Sequence, residues 1–261
     1  MRGSGVPGKL TPVSEHILSS CQDGVCELRF NRPEKRNAIT FAMYETLARQ
    51  LHAALADAAV RAVLLSGAGA SFSAGNDLND FVSGPEFSAA HPVMEVLRTL
   101  ATFEKPLIAA VHGPTVGIGV TMLLHCDLVV AARGTQLAMP FVSLGLVPEA
   151  GSSLLLPRLV GQQRAAELLL LGQPLDAGTA HTLGLVNRVV EEPQLMDEAR
   201  ALARRLAQQP AEAVRATKRL LRGDPAEVLA RIEAEARVFS ARLKSAEFLA
   251  QVRAVLGKGR A

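Results

Sequence analysis

The sequence predicts an α/β domain that ends in a helical extension, and three observations predict it. Through the first two thirds of the 261 residues, short apolar β-type runs alternate with amphipathic helical stretches. From about Pro157 nearly every segment reads as helix. No linker composition marks the changeover, so one core with an extension fits better than two independent domains. We expect a disordered tail over 1–12, a core over 13–195 and a C-terminal helical region over 196–261.

In chain order, Gly- and Pro-rich residues through Pro12 read as the tail or as a cloning remnant. Glu15–Ser20 and Gly24–Phe30 alternate as two strands joined at Asp23-Gly24. Asn31–Asn37 is a polar loop. Thr40 caps a helix to about Asp57, with Met43, Leu47, Leu51 and Leu55 spaced by four. Val60–Ser66 is a buried strand, 86–104 a helix, Pro106–Val111 a strand, Gly117–His125 a helix and Asp127–Ala132 a strand. Helices follow at 161–171, 176–182, 193–208, 210–222, 226–239 and 245–256, with Leu185–Val190 strand-like between them.

Composition excludes several function classes. Apolar content of 49% with 20% charged residues is ordinary for a soluble globular enzyme. The net charge is +3. Residues 1–156 carry 11 Lys/Arg against 13 Asp/Glu, and 157–261 carry 17 against 12. The C-terminal arginines recur at helical spacing among acids, which reads as a solvated helix surface. No aromatic stacking platform or groove-reading motif accompanies them, so nucleic acid is not an expected partner. No apolar run reaches membrane-spanning length, and the N-terminus lacks an apolar signal core, so no membrane partner is expected. Cys21, Cys26 and Cys126 lack metal-ligand spacing and are odd in number; reduced thiols in a cytoplasmic protein are the expectation.

Three stretches carry chemistry: Ser71–Leu78 (SFSAGNDL), Val116–Gly119 (VGIG) and Leu146–Ser153 (LVPEAGSS). The first two are small-residue turns after apolar runs, where a ligand can approach backbone N–H groups. The third offers one carboxylate, Glu149, in an apolar neighbourhood. Two sets of backbone donors plus one isolated acid suit a reaction that makes and quenches an oxyanion by proton transfer. Blander readings stand beside these: strand-to-helix connections for the turns, and a solvent-facing helix N-terminal acid for Glu149.

Five motifs in register make the chain resemble the crotonase superfamily, the enoyl-CoA hydratase/isomerase family. They are Asn31–Ala38 (NRPEKRNA), Phe72–Leu78, Lys105–Gly113 (KPLIAAVHG), Cys126–Ala131 (CDLVVA) and Gly145–Pro148 (GLVP), and Ala177–Asn187 is also similar. The resemblance implies an α/β spiral of ββα units, with C-terminal helices that assemble a homotrimer or homohexamer. It implies an acyl-CoA thioester substrate and no cofactor, CoA being part of the substrate. The thioester oxygen would sit between two backbone N–H groups, which motif position gives as Ala74 and Ile118. Substrate or CoA contacts are expected from Arg36, Ala38, Ser73, Gly75, Asn76, Asp77, Leu78, Gly117, Thr121, Phe141, Leu144 and Lys258. Asp77 reads as a turn former, and Phe41, Phe81 and Leu97 as either tunnel lining or core. His112, His125 and Asp127 read as packed, hydrogen-bonded residues.

The hydratases of the family place two glutamates around the substrate, where this chain has Thr121 and Phe141. Neither is a general acid or base near neutral pH. The carboxylate at Glu149 instead resembles the Δ3,Δ2-enoyl-CoA isomerases of peroxisomal type. Isomerisation of a 3-enoyl-CoA is therefore the expected activity, with Glu149 as proton shuttle. Hydration or another crotonase reaction is the alternative, and a non-catalytic CoA-thioester binding protein the second.

Overall fold

A computed structural model describes residues 10–83 and 88–258, with side chains except at 83 and 255–258. Strands β1 (Thr11–Ser14), β2 (Ile17–Gln22) and β3 (Val25–Phe30) form an antiparallel meander. Asp23 and Gly24, both at positive φ, close its second turn. Thr11 and Pro12, expected in the tail, are strand residues paired with Ser19 and Leu18. Leu10 is described too, and the rest of the expected tail lies outside the described residues.

The cysteine expectation needs correction. Register places Cys21 directly opposite Cys26 in the β2–β3 ladder, and the two are joined as a disulfide. Cys126 is the free thiol, and burial pushes it up to about 12.

Helix α1 (Phe41–Ala56) starts where Thr40 Oγ1 accepts from Met43 N at 3.2 Å, and its buried face is Met43, Tyr44, Leu47, Ala48, Leu51 and Ala54. Strand β4 (Ala62–Gly67) follows, then α2 (Leu78–Ser83), which the sequence reading lacked, and α3 (Pro92–Thr102). α3 begins later than expected because Pro92 fits a first helical position with His91 Nδ1 capping Val93 N. Next come β5 (Leu107–Val111), β6 (Pro114–Val116), the single turn α4 (Ile118–Thr121) and β7 (Leu128–Ala132). The stretch Gly117–His125 is thus not one α-helix, since Met122–His125 tightens to a 3-10 turn.

Strand β8 (Gln136–Ala138) precedes α5 (Ser152–Val160), a helix hidden in the sequence by Pro157, which it accommodates near its C-terminus. Then follow α6 (Gln162–Ala166), continued by a π turn over Glu167–Leu171, β9 (Leu175–Asp176), α7 (Ala177–Thr182) and β10 (Arg188–Val190). The chain closes with α8 (Leu195–Ala207), α9 (Ala211–Arg222), α10 (Ala226–Leu243) and α11 (Ala246–Lys258).

The main sheet runs β1-β2-β3-β4-β5-β7-β10, parallel from β3 onward, and β6-β8-β9 form a small second sheet. Parallel strands covered on both faces read as continuous apolar runs. Val63, Leu65, Ala109, Val111 and Val129 face the large core with α1 and α3. Their alternates Ala62, Leu64, Ile108, Ala110 and Val130 meet Leu195, Ala199, Leu202 and Ala203 of α8. The core boundary drawn at 195 therefore falls at the start of a helix that covers the sheet.

Candidate active site

The site forms where two glycine turns meet. After β4 the chain passes through Ser71–Asp77, and after β6 it passes through Gly117 into α4. Val116 N donates to Ser73 O at 2.9 Å, tying the turns together. This approach requires glycine. A Cβ on Gly75, at φ +88°, would stand 2.8 Å from Val116 O, and one on Gly119 would stand 2.9 Å from Ser73 O. The early loop braces the first turn from behind: Asn37 Nδ2 donates to Ala68 O at 2.8 Å and Ser71 O at 2.7 Å.

Backbone donors can be accounted for residue by residue. Ala74 N donates to Arg36 O at 2.8 Å, so Ala74, expected as an oxyanion donor, is already engaged. Gly75 N donates to Ser73 Oγ at 3.1 Å and Asp77 N to Ile39 O at 2.9 Å. Asn76 N has no backbone or side-chain partner among the described residues. In the second turn Gly117 N donates to Ala138 O at 2.8 Å, while Ile118 N, at the start of α4, has no such partner. Asn76 and Ile118 both line one pocket, with Ala74, Gly75, Leu78, Phe81, Gly117, Phe141, Leu144, Phe239 and Phe248 among its other walls. The free donors are therefore Asn76 and Ile118.

A second, deeper cavity shares Asn76, Phe81 and Phe239 with the first and reaches Glu149. Its other walls are Val93, Met94, Leu97, Ile232 and Ala236. Across both linings Glu149 is the sole carboxylate among the described residues. Its side chain is buried, and Oε1 accepts from Thr121 Oγ1 at 2.5 Å. Oε2 is buried with no hydrogen-bond partner among the described residues. Burial pushes this carboxyl up to about 8, the Glu235 charge adds to the rise, and the Thr121 bond opposes it.

Tyr44, absent from the sequence-predicted set, donates from Oη to Asn76 Oδ1 at 2.5 Å. Burial first, and the Glu149 charge second, hold its phenol well above the usual range. Its only signal in the sequence was a place on the apolar face of α1, which core packing explains equally well. His125 is neutral and structural: burial lowers it to about 4, and its Nε2 lies 2.7 Å from Ala150 O. His112 Nε2 lies 2.8 Å from Gly69 O, and Asp127 accepts from Leu107 N, Lys218 and Arg222, as packed roles require.

Several expected contacts lie elsewhere. Ser73 is fully buried and spends its hydroxyl on Asn37 O at 2.9 Å. Asp77 is ion-paired to Arg32 at 2.6 Å. Burial works to raise its carboxyl, and the Arg32 and Asn79 bonds outweigh that, holding it below its ordinary value. Thr121 stands against Glu149 rather than in a pocket wall. Arg36 is exposed, Ala38 accepts from Arg32 at 3.0 Å, and neither lines the described cavities. The Lys258 side chain lies outside the described residues. Phe81 and Leu97 do line the deep cavity, whereas Phe41 packs behind Phe81, with ring centroids 5.0 Å apart.

The enoyl-CoA hydratase/isomerase family profile matches residues 20–259. The chain belongs to this family. It is 43% identical over 203 residues to 1,2-epoxyphenylacetyl-CoA isomerase of Escherichia coli (strain K12), covering 75% of this chain and 78% of that protein. It is 39% identical over 237 residues to enoyl-CoA delta isomerase 2 of Rattus norvegicus, covering 88% of this chain but 60% of the rat protein. The crystal structure of an enoyl-CoA hydratase/isomerase from Pseudoalteromonas atlantica T6c superposes with a TM-score of 0.90 at 42% identity, over 94% of this chain and 98% of that one. The α/β fold with C-terminal helices is thus crotonase-like, as the motifs implied.

Proposed function

We propose that this family member shifts the double bond of a 3-enoyl-CoA to the 2-trans position. The observation that carries the reading is a single buried carboxylate, with one oxygen unengaged among the described residues, in a cavity that shares Asn76, Phe81 and Phe239 with the pocket of the two unengaged backbone N–H groups. The thioester oxygen accepts from Asn76 N and Ile118 N. Glu149 takes a proton from C2, and the electron pair spreads over a dienolate whose charge rests on that oxygen. The protonated carboxyl then returns the proton to C4, leaving an isomer and a regenerated carboxylate. Proton transfer within the bound substrate needs no cofactor.

Allylic isomerisation needs one group that both takes and gives a proton, and a carboxyl near 8 suits both. Hydration would need a second acid or base, and Thr121 and Phe141 supply neither. Assembly as a homotrimer or homohexamer belongs to the same proposal. The exposed leucines Leu220 and Leu221 on α9 are suited to chain–chain contact. Incubation with 3-hexenoyl-CoA tests the activity: the conjugated 2-trans thioester should appear by its ultraviolet absorbance. A 3-hydroxyacyl product by mass spectrometry, or no turnover with any 3-enoyl chain, would overturn it.

A further inference from the structure

We propose that Glu235, on α10, is a positioning residue for Glu149, clamping the segment that follows the base and so tying the C-terminal helix to the site. The proposal rests on reading Glu149 as the base. Glu235 is buried, and burying a carboxylate is costly unless it is hydrogen-bonded. Its partners are Gly151 N at 2.6 Å, Ser153 N at 2.9 Å and Ser153 Oγ at 2.6 Å. Gly151 N and Ser153 N are orphan donors at the start of α5, which has no side-chain cap of its own. The carboxylate from α10 supplies what the local sequence lacks.

The clamped segment needs holding. Ala150 and Gly151 both take positive φ, 61° and 72°, and a non-glycine residue there costs about 1–2 kcal/mol. Glu149 is two residues from the first clamped N–H. A second hold comes from His125 against Ala150 O. Meanwhile Ile232, Ala236 and Phe239, on the helical turns flanking Glu235, wall the cavity that contains Glu149. One helix therefore both contacts the acyl cavity and fixes the base.

The electrostatics agree. The titratable groups around Glu149 are Tyr44 from α1, a protonated phenol; His125 from the turn before β7, neutral; and Glu235 from α10. Arg231 reaches Ser153 Oγ at 3.3 Å and partly offsets Glu235. Glu235 is the like charge that helps keep the Glu149 carboxyl high.

The test compares wild type with Glu235→Gln and Ser153→Ala. One readout is kcat and KM with 3-hexenoyl-CoA. The other is infrared titration of the Glu149 carboxyl in the free protein, assigned by its loss in Glu149→Gln. Glu235→Gln should lower kcat on the order of 10²-fold, the scale of a misplaced catalytic group, with KM changed less than about threefold. It should also move the Glu149 midpoint below about 8. Ser153→Ala keeps the charge and loses one bond, so kcat should fall severalfold with the midpoint unmoved. A merely structural clamp would cost stability alone; unchanged kcat and midpoint in folded Glu235→Gln would overturn the proposal. Should that variant not fold, unchanged kcat in Ser153→Ala would overturn it. If wild type does not isomerise, a midpoint shift on Glu235→Gln still supports the coupling, and only the isomerase reading fails.

Discussion

Thr121 Oγ1 donates to Glu149 Oε1 at 2.5 Å, so the residue standing where the hydratases carry a glutamate holds this chain's own carboxylate from behind. The bond fixes one oxygen, while Oε2 stays buried with no hydrogen-bond partner among the described residues. It also favours the charged form against a strong burial penalty.

That balance sets a pH dependence. In the proposed mechanism Glu149 starts the reaction deprotonated, so kcat/KM should climb with pH and level off above about 8. Thr121→Val removes the bond to the carboxylate and should move the limb upward, while Thr121→Ser keeps the hydroxyl and should leave it in place. Rate profiles in free-enzyme conditions read this directly.

Backbone closeness between the two turns gives a second expectation. Gly75→Ala places a methyl 2.8 Å from Val116 O at a φ of +88°. The substitution should destabilise the fold by about 1–3 kcal/mol. It should also lower kcat by displacing Asn76 N, which thermal melts and kinetics would separate.

His125 predicts an acid limit on stability. Its folded value near 4 lies below the unfolded 6.5, so between them the unfolded chain binds more protons. Stability should fall as pH drops from about 6.5 to 4. Glu149 acts in another window: its raised value makes stability fall as pH rises from about 4.5 to 8. Denaturant titrations should show the acid loss shrink in His125→Gln, and the alkaline loss shrink in Glu149→Gln.

Much of this was legible in the sequence because it rests on local chemistry. The cap of α1, the spacing of its apolar face and the small-residue turns are written within a few residues. Glu149 and Ile118 are singled out by motif position, and each lines one of the two cavities. What escaped depends on distant partners. The Ala74 N–H is taken by the Arg36 carbonyl, brought over by a loop far upstream, and nothing local to Ala74 signals that partner. Tyr44 and Glu235 read as ordinary helix residues, and their contacts with Asn76 and with the start of α5 exist only where α1 and α10 close over the turns. α5 was hidden because Pro157 near its C-terminal end reads locally as a break.

The central claim is that Glu149 moves the proton, and the most direct measurement is isomerisation of 3-hexenoyl-CoA by Glu149→Gln beside its acyl-CoA affinity. The amide keeps the shape and the Thr121 contact but removes the base. The account predicts a fall in kcat on the order of 10²–10⁴-fold with binding little changed. Near-normal turnover in that variant would place the base elsewhere and contradict the account.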